Sequence, residues 1–461
     1  MTPQAFAQRW LGGLLARPLA LLESPATAKG KRLSLLAGEP LFVLEGRGRH
    51  SWLRCGGRRW PIASPPLPAW KALEKALSGR PGAFSWPLVA AFSYEAGGQF
   101  ERLPRPRPEP LGLPDWWGFL PGLWAWQREG HWTLSHAGLD AGTARRLARA
   151  WGLPASALAP ALAAPTQAHA RARAWLRQDQ PLPAPRAAPP LRGWRDDLGA
   201  AGYRARVRRI HRHILDGDIY QANLAHHLRA AYPGDGFQLY RRLCALNPSP
   251  MAAYVDLGPT QVISASPERL FRLQGGWVDA WPIAGTAPRR GSPGERGALR
   301  ADAKNAAEHV MLVDLERNDL GRVCVAGSVT VPRFRVVQSY AHLHHLVSQV
   351  RGRLRPGLGL LDLLQAGFPG GSITGAPKLR CMQVIHALEG QARGWYTGSL
   401  GWWDPRRGEA DLNILIRTIF LKAGTAYAPV GAGIVLDSDP QAEWEETLVK
   451  AEALLRALGR R

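Results

Sequence analysis

Phe368-Pro369-Gly370-Gly371-Ser372-Ile373-Thr374-Gly375-Ala376-Pro377-Lys378 packs three glycines and two hydroxyl residues into one short loop. Pro377 suits the first turn of a helix, where its missing N–H is an orphan anyway. Leu379, Met382, Ile385 and Leu388 then give that helix an apolar stripe at spacings of three and four. A glycine loop running into a helix start presents bare N–H groups and the positive end of the dipole, a place to hold an anion. Ser372 and Thr374 add hydroxyl donors. A tight turn with a hydroxyl-capped helix explains the same residues, so the flanking sequence has to decide.

The chain has 461 residues, room for two or three domain-sized cores or one large α/β enzyme. Its 46% hydrophobic and 21% charged content places it among soluble globular proteins. The leucine-rich run from Leu11 to Leu22 is interrupted by Arg17 and too short to span a bilayer. It ends in Glu23 without a small-residue cleavage site and does not read as a signal peptide. Cys55, Cys244, Cys324 and Cys381 are far apart and form no CxxC pair, which fits a reducing cytoplasm and argues against a disulfide framework or zinc cluster. The formal net charge of +23 raises the question of nucleic acid. The excess is arginine scattered through Ala/Pro/Leu-rich text, with no dense basic tail and no recognisable nucleic-acid module.

Residues 1–152 mix short strand-like pieces, such as Leu41–Leu44 and Leu88–Phe92, with Gly/Pro turns. Residues 153–193 are dominated by Ala and Pro; the proline run in the second half reads as an exposed connector. Residues 194–461 are denser in motifs. There the patterns predict a basic amphipathic helix over Gly202–Asp216, with Val207, Ile210 and Ile214 on one side. They predict strands over Ile219–Leu224, Val262–Ser266, Trp277–Trp281, Gly394–Trp403 and Leu412–Leu421. Long helices are expected over Ala298–Asn318 and Pro440–Leu458.

In the last of these, Ser438, Asp439 and Pro440 form a start signal, and Gln441 stands where a capping partner of Ser438 would. Glu443, Glu446 and Lys450 fall on one helix face. Two carboxylates near a helix start are often surface charges favoured by the dipole. The preceding Gly431-Ala432-Gly433 turn, suited to close ligand approach, weakens that account. Glu308, in unusually apolar surroundings, supplies a possible partner. Together the three carboxylates make an oxygen-only set suited to Mg²⁺ bridging to an acidic substrate. Arg417, a charge inside an apolar strand, is paired, on the exposed face, or a bidentate clamp for a carboxylate. His342, His344 and His345 alternate along a strand without cysteine nearby. That favours a single histidine as a polar or acid–base group over a transition-metal site.

The segments IYQANL, SPERL, PIAGT, AEHVMLVDLERNDLGRV, HHLVS, PGGSITGAPK, YTGSLGW, LNILIRT and GAGIVLDSDPQAEWEET resemble, in order, those of the chorismate-utilising enzymes. The resemblance runs from about Gly202 to the C-terminus. It is weaker before that, through Leu21-Leu22-Glu23-Ser24 and Phe92-Ser93-Tyr94-Glu95. The wording at Asn223-Leu224, Gly371-Ser372-Ile373-Thr374 and Asp411-Leu412-Asn413-Ile414 is similar to the aminodeoxychorismate synthase component I branch more than to anthranilate synthase component I.

The resemblance implies an α+β fold in which antiparallel β-sheets stack as a sandwich with helices packed outside. It implies Mg²⁺ held by Glu308 and Glu446, with Glu443 accompanying through water. Substrate contacts fall on Gln221, Thr286, Ser372, Thr374, Tyr396, Arg417, Gly431, Ala432, Gly433 and Lys450. Glu268 is placed near the C4 hydroxyl of chorismate, and His345 is an active-site histidine. Gln221 stands where water-adding members carry a lysine base, and glutamine cannot deprotonate water. Ala284 stands where some relatives carry a lysine nucleophile, so no covalent adduct is expected there. Asn305 replaces an acid frequent in relatives. A tryptophan pocket in relatives involves Ser24 and Pro250-Met251-Ala252.

The activity implied is amination of chorismate toward p-aminobenzoate and folate. Anthranilate synthesis is the nearest rival, and a basic nucleic-acid-binding protein the rival of a different class. No cysteine has the small-residue setting of a glutaminase nucleophile, and the core runs to Arg461. Ammonia is therefore expected from a separate glutamine amidotransferase subunit, with no membrane or nucleic-acid partner.

Overall fold

The computed structural model describes residues 1–12, 16–24, 33–78, 86–104, 106–177, 182–289, 291–339 and 343–460. Strands form on apolar and small-residue runs, and several, such as Leu88–Phe92 and nearly all of Trp116–Arg128, are buried on both faces instead of alternating. Every described strand pairing is antiparallel, and the strands form one continuous hydrogen-bonded network with two leaves. The first leaf runs from Thr330–Ser339 through Leu343–Arg353, Trp277–Ala280, Arg269–Gln274 and Glu409–Ile414. It continues through Ser399–Asp404, Leu88–Phe92 and Trp116–Arg128 to Leu33–Arg47. The second runs from Leu19–Ser24 through Met251–Asp256, Thr260–Ser266, Thr418–Lys422 and Thr425–Ile434 to Gln221–Ala231. Leu19–Ser24 also pairs with Leu33–Arg47 and so joins the leaves.

Helices lie outside this network. Ala303–Gly321 packs on Ile283–Pro288 and Leu343–Arg353, while Gly199–Leu215, Gly236–Leu246 and Pro440–Leu458 cover the second leaf. The α+β sandwich expected from the sequence is therefore the fold observed. Trp70, on the helix Pro66–Leu77, stacks on Trp403 with ring centroids 6.3 Å apart, which ties the first third of the chain to the last. No helix among the described residues is long and apolar enough to cross a membrane.

Two neighbouring segments pass from one leaf to the other at the same level. Thr260–Ser266 pairs with Thr418–Lys422 in one leaf, and Arg269–Gln274 pairs with Glu409–Ile414 in the other. The corners between them are Pro267-Glu268 and Leu415-Ile416-Arg417. Strands that switch sheets turn at bends of this kind. The Ser266 hydroxyl donates to Ile414 O (2.6 Å), Ile414 N donates to Glu268 O (3.0 Å), and Ala265 N donates to Arg417 O (3.1 Å). Arg417 has φ +52°, a left-handed backbone that a side chain adopts only where its surroundings enforce it.

Several elements differ from the sequence expectation for identifiable reasons. The long strand Leu412–Leu421 is two strands, because the corner at Leu415–Arg417 breaks it. The strand expected over Gly394–Trp403 begins only at Ser399, since Gly394 (φ +61°) and Thr397 (φ +58°) make a turn first. The helix expected over Ala298–Asn318 is split into Glu295–Ala301 and Ala303–Gly321. Asp302 ends the first and caps the second, its carboxylate accepting from Asn305 N at 2.7 Å. The terminal helix Pro440–Leu458 is capped by Asp439, which accepts from Gln441 N and Ala442 N; the Ser438 hydroxyl goes to Glu443 instead. In the Ala/Pro-rich segment, Ala155–Leu162 and Thr166–Leu176 are short helices with Ala157, Leu158, Ala161 and Ala172 buried, while 182–192 has no regular structure.

Candidate active site

The two corners open onto a cavity of about 660 Å³. Five elements, the two corners among them, furnish it with functional groups. The corners bring Glu268 and Arg417. The glycine loop 368–377 brings Ser372. The helix Ala303–Gly321 brings Glu308, and the terminal helix brings Glu443, Glu446 and Lys450. Ala284, His345, Tyr396, Gly431 and Gly433 complete the predicted residues that line it. Gln221 lies beneath, its Nε2 donating to Glu308 Oε1 at 3.1 Å.

Other expected residues fall elsewhere. Thr374 is fully buried and its hydroxyl donates to Gly370 O (2.8 Å), so it shapes the loop from within. Ala432 is buried and, between two lining glycines on a strand, faces the other way. The side chain of Thr286 and the residue His342 lie outside the described residues. His344 points away from its neighbour to Ser339 Oγ (2.8 Å) and Glu295 (3.3 Å), so the two described histidines of this run, His344 and His345, do not converge. Met251 and Ala252 border a separate small cavity with Glu23, Trp126 and Asn413. Its volume, about 40 Å³, is room for a few waters. Pro250 does not border it, and the side chain of Ser24 is outside the described residues.

Charges in the main cavity are arranged by sign. Lys450 Nζ reaches Glu446 Oε1 (2.6 Å) and donates to Gly431 O (3.2 Å). Arg417 Nη1 donates to Lys450 O at 2.5 Å, so the corner also anchors the terminal helix. Burial draws Arg417 below the usual arginine value, against the pull of Tyr396 and Glu446. Glu268 is buried, and its carboxyl accepts the Ser372 hydroxyl at 2.8 Å. Burial pushes its pKa up to about 7; the Ser372 hydrogen bond, Ile283 N–H and Lys450 hold it from going higher. His345 moves the other way, to about 4, through burial and then the Arg417 and Lys450 charges, so it is a neutral imidazole at neutral pH. The cavity thus combines an acid poised to give a proton, two cations and an oxygen-only carboxylate set on two helices. That donor chemistry fits a hard divalent cation.

Three features behind the site escaped sequence reasoning. Arg393 is fully buried and holds the back wall together. It donates to Ile373 O in the glycine loop (2.8 Å), to Asn223 O (2.7 Å) and to both oxygens of Glu389. His226 bridges Asp196 and Thr447 Oγ1, the latter at 2.8 Å, and packs on Trp444, so it clamps the terminal helix to the strand Gln221–Ala231. Ligand atoms of Asp196, Asp197 and His226 all lie within 4.8 Å of one another, but both ring nitrogens of His226 are spent on this clamp. Lys378, at the end of the glycine loop, reaches Asp319 (2.6 Å) and Gly367 O (2.7 Å) and fastens the loop to the helix Ala303–Gly321. The one available signal for these groups was a charged or imidazole residue in an otherwise apolar or small-residue stretch.

An acid, two cations and a carboxylate set around one cavity are the equipment of an enzyme acting on a small anionic molecule. The family of chorismate binding enzymes matches residues 58–456, and the chain belongs to that family. Aminodeoxychorismate synthase component 1 of Salmonella typhimurium is 34% identical over 439 residues, covering 93% of this chain and 90% of that protein. Anthranilate synthase component 1 of Aquifex aeolicus is 42% identical over 274 residues, 59% of this chain and 55% of that protein. The chain thus spans about half the length of that relative and of several others it matches. The crystal structure of anthranilate synthase component I from Streptococcus pneumoniae superposes with a TM-score of 0.77 at 30% identity, covering 93% of this chain and 92% of the other.

Proposed function

We propose that this chain is component I of an aminodeoxychorismate synthase, a cytoplasmic Mg²⁺ enzyme that aminates chorismate on the route to p-aminobenzoate and folate. The reading is supported chiefly by the likeness to the aminodeoxychorismate synthase relative over nearly the whole chain. The site chemistry agrees with it. Chorismate and ammonia give 4-amino-4-deoxychorismate and water. The C4–O bond breaks, a C4–N bond forms, and one proton leaves nitrogen as one joins the departing hydroxyl. Glu268 delivers that proton, since a buried carboxyl with a pKa of about 7 is still partly protonated at neutral pH. Arg417 and Lys450 hold substrate carboxylate, and Ala284 provides no covalent nucleophile. Glu308 and Glu446, with Glu443 behind them, would hold Mg²⁺, which neutralises carboxylate charge on the substrate when bound. Anthranilate synthesis is the second reading, favoured by Ala284 and by the solved anthranilate synthase fold.

Product analysis separates the two. The purified chain with chorismate, Mg²⁺ and ammonium salts is expected to form the non-aromatic aminated product and no anthranilate. It is also expected to be inactive with glutamine until a separate glutaminase subunit is added. Anthranilate and pyruvate as products, or glutamine-dependent turnover by the single polypeptide, would overturn the respective claims.

The acid assignment carries its own prediction. Glu268→Gln should lower kcat by about 10²–10⁴-fold. Because the protonated carboxyl is the active form, kcat at a fixed concentration of free ammonia should fall as pH rises through the Glu268 pKa. Ser372→Ala removes a hydrogen bond that favours the ionised form, so the falling limb should move to higher pH. A limb that stays in place or moves down in Ser372→Ala excludes Glu268 as its source.

A further inference from the structure

Of the six non-glycine residues described with a left-handed backbone, Thr397, at φ +58°, is the only β-branched one and the only one that is buried. Branching at Cβ makes this conformation a genuine outlier, and glycine is its ordinary occupant. Such strain persists only where the surroundings impose it, and it gathers at functional sites. The restraints on Thr397 are explicit. Its N–H donates to Leu415 O (2.8 Å), and Leu415 N–H donates back to Gly398 O (2.9 Å). Its hydroxyl donates to the preceding carbonyl, Tyr396 O (2.6 Å), and accepts from Arg393 Nη1 (3.3 Å). Tyr396 N–H in turn donates to Arg393 O (3.2 Å).

The turn around Thr397 is thereby laced to the corner Leu415-Ile416-Arg417, where Arg417 is left-handed too. Each of the two bonded turns puts one long side chain into the cavity wall, Tyr396 from the first and Arg417 from the second. Thr397 is not among the lining residues. Returning it to an extended or right-handed backbone would rotate the peptide that joins it to Tyr396 and break the hydrogen bond to Leu415. The side chain that moves is Tyr396, itself buried except toward the cavity. The hydroxyl bond to Tyr396 O favours the strained conformation locally, and neither alanine nor valine can make it.

We propose that Thr397 is the positioning residue for Tyr396: its enforced left-handed backbone, and not the bulk of its side chain, sets the Tyr396 ring against the substrate beside Arg417. The proposal rests on the reading that the cavity takes chorismate. Steady-state kinetics of the full chain, following chorismate consumption at saturating Mg²⁺ and ammonium, test it with two variants that differ by one methyl group. Both lack the hydroxyl, but glycine takes the left-handed backbone without penalty and alanine does not. Thr397→Ala is expected to raise the chorismate KM about tenfold, with kcat changed by less than about twofold, while Thr397→Gly stays within about threefold of wild type in both. A side chain that merely fills space gives the reverse order, since glycine leaves the larger void. An unchanged KM in Thr397→Ala, or a Thr397→Gly impaired as much as Thr397→Ala, overturns the proposal. A second readout asks whether Thr397 acts through its neighbour. Added to Tyr396→Phe, Thr397→Ala should raise KM by less than about twofold more, and a further rise of about tenfold overturns the proposal. Should Thr397→Ala lose its circular dichroism, Thr397→Ser decides. It keeps the hydroxyl bond to Tyr396 O, so its KM should stay near wild type, and a rise of about tenfold overturns the proposal. Anthranilate as the product would overturn the amination reading and leave the role of Thr397 standing. A wild-type chain that consumes no chorismate overturns both.

Discussion

Glu446→Gln is expected to lower kcat/KM by about two to three powers of ten at limiting Mg²⁺ while leaving the fold intact. The Glu446 side chain is 52% exposed and projects from the second turn of a well-capped helix, so its amide isostere loses no packing. Surface changes of this kind usually cost less than about 0.5 kcal/mol. What it does lose is a charged oxygen beside Lys450 and across the cavity from Glu308. If those carboxylates hold Mg²⁺, removing one charge weakens the ion and the substrate that it would bind, and added Mg²⁺ should restore part of the rate. Glu308→Gln is expected to behave similarly, with Gln221 still able to donate to the new side-chain oxygen. Turnover titrated against Mg²⁺, alongside circular dichroism, reads both effects. Near-normal activity in either variant at limiting Mg²⁺ sinks the metal assignment.

Arg393→Met is expected to destabilise the protein by about 3–5 kcal/mol, a typical cost of removing one partner of a buried ion pair. Glu389, itself buried, would lose the guanidinium that contacts both its oxygens and keep only the Ala225 N–H (2.8 Å). The carbonyls of Ile373 and Asn223 would also lose their donor. Burial opposes the charge on Arg393, and the adjacent Glu389 outweighs it, holding the arginine above its usual pKa. The double variant Arg393→Met with Glu389→Leu should therefore recover part of the stability, since no uncompensated carboxylate remains. Urea denaturation measures both. A loss below about 1 kcal/mol in Arg393→Met, or a double variant no better than the single, would show that the pair does not hold the wall.

Much of this arrangement was legible in residue spacing. Glu443, Glu446 and Lys450 at helical intervals placed three groups on one face, and the helix observed has the bounds that Pro440 and the apolar stripe predict. The glycine loop led into a helix that buries Met382, Ile385 and Leu388 of the expected stripe, while Leu379, in its first turn, is exposed. What stayed hidden was long-range. The run from Leu412 to Leu421 is mostly apolar, and nothing local marks Arg417 as a corner; its left-handed backbone is enforced by neighbours far away in sequence. Arg393, between Ala392 and Gly394, has the look of a solvated turn. It is buried because the glycine loop, the strand Gln221–Ala231 and Glu389 converge on it. Asp302 was read as helix interior because its capping role depends on φ and ψ, which propensity does not reveal.

The continuous sheet has a consequence for how the chain can be divided. Leu88–Phe92 is bonded to Ser399–Trp403, and Leu19–Glu23 to Ala252–Asp256, so backbone rungs cross from the first third of the chain to the rest along two seams. Cutting the polypeptide within 182–192 would not liberate two independent modules. The pieces would remain zipped together, and either one synthesised alone would expose naked strand edges, a recognised template for aggregation. Any fragment-complementation or split-reporter scheme built on this scaffold therefore has to supply both pieces at the same time.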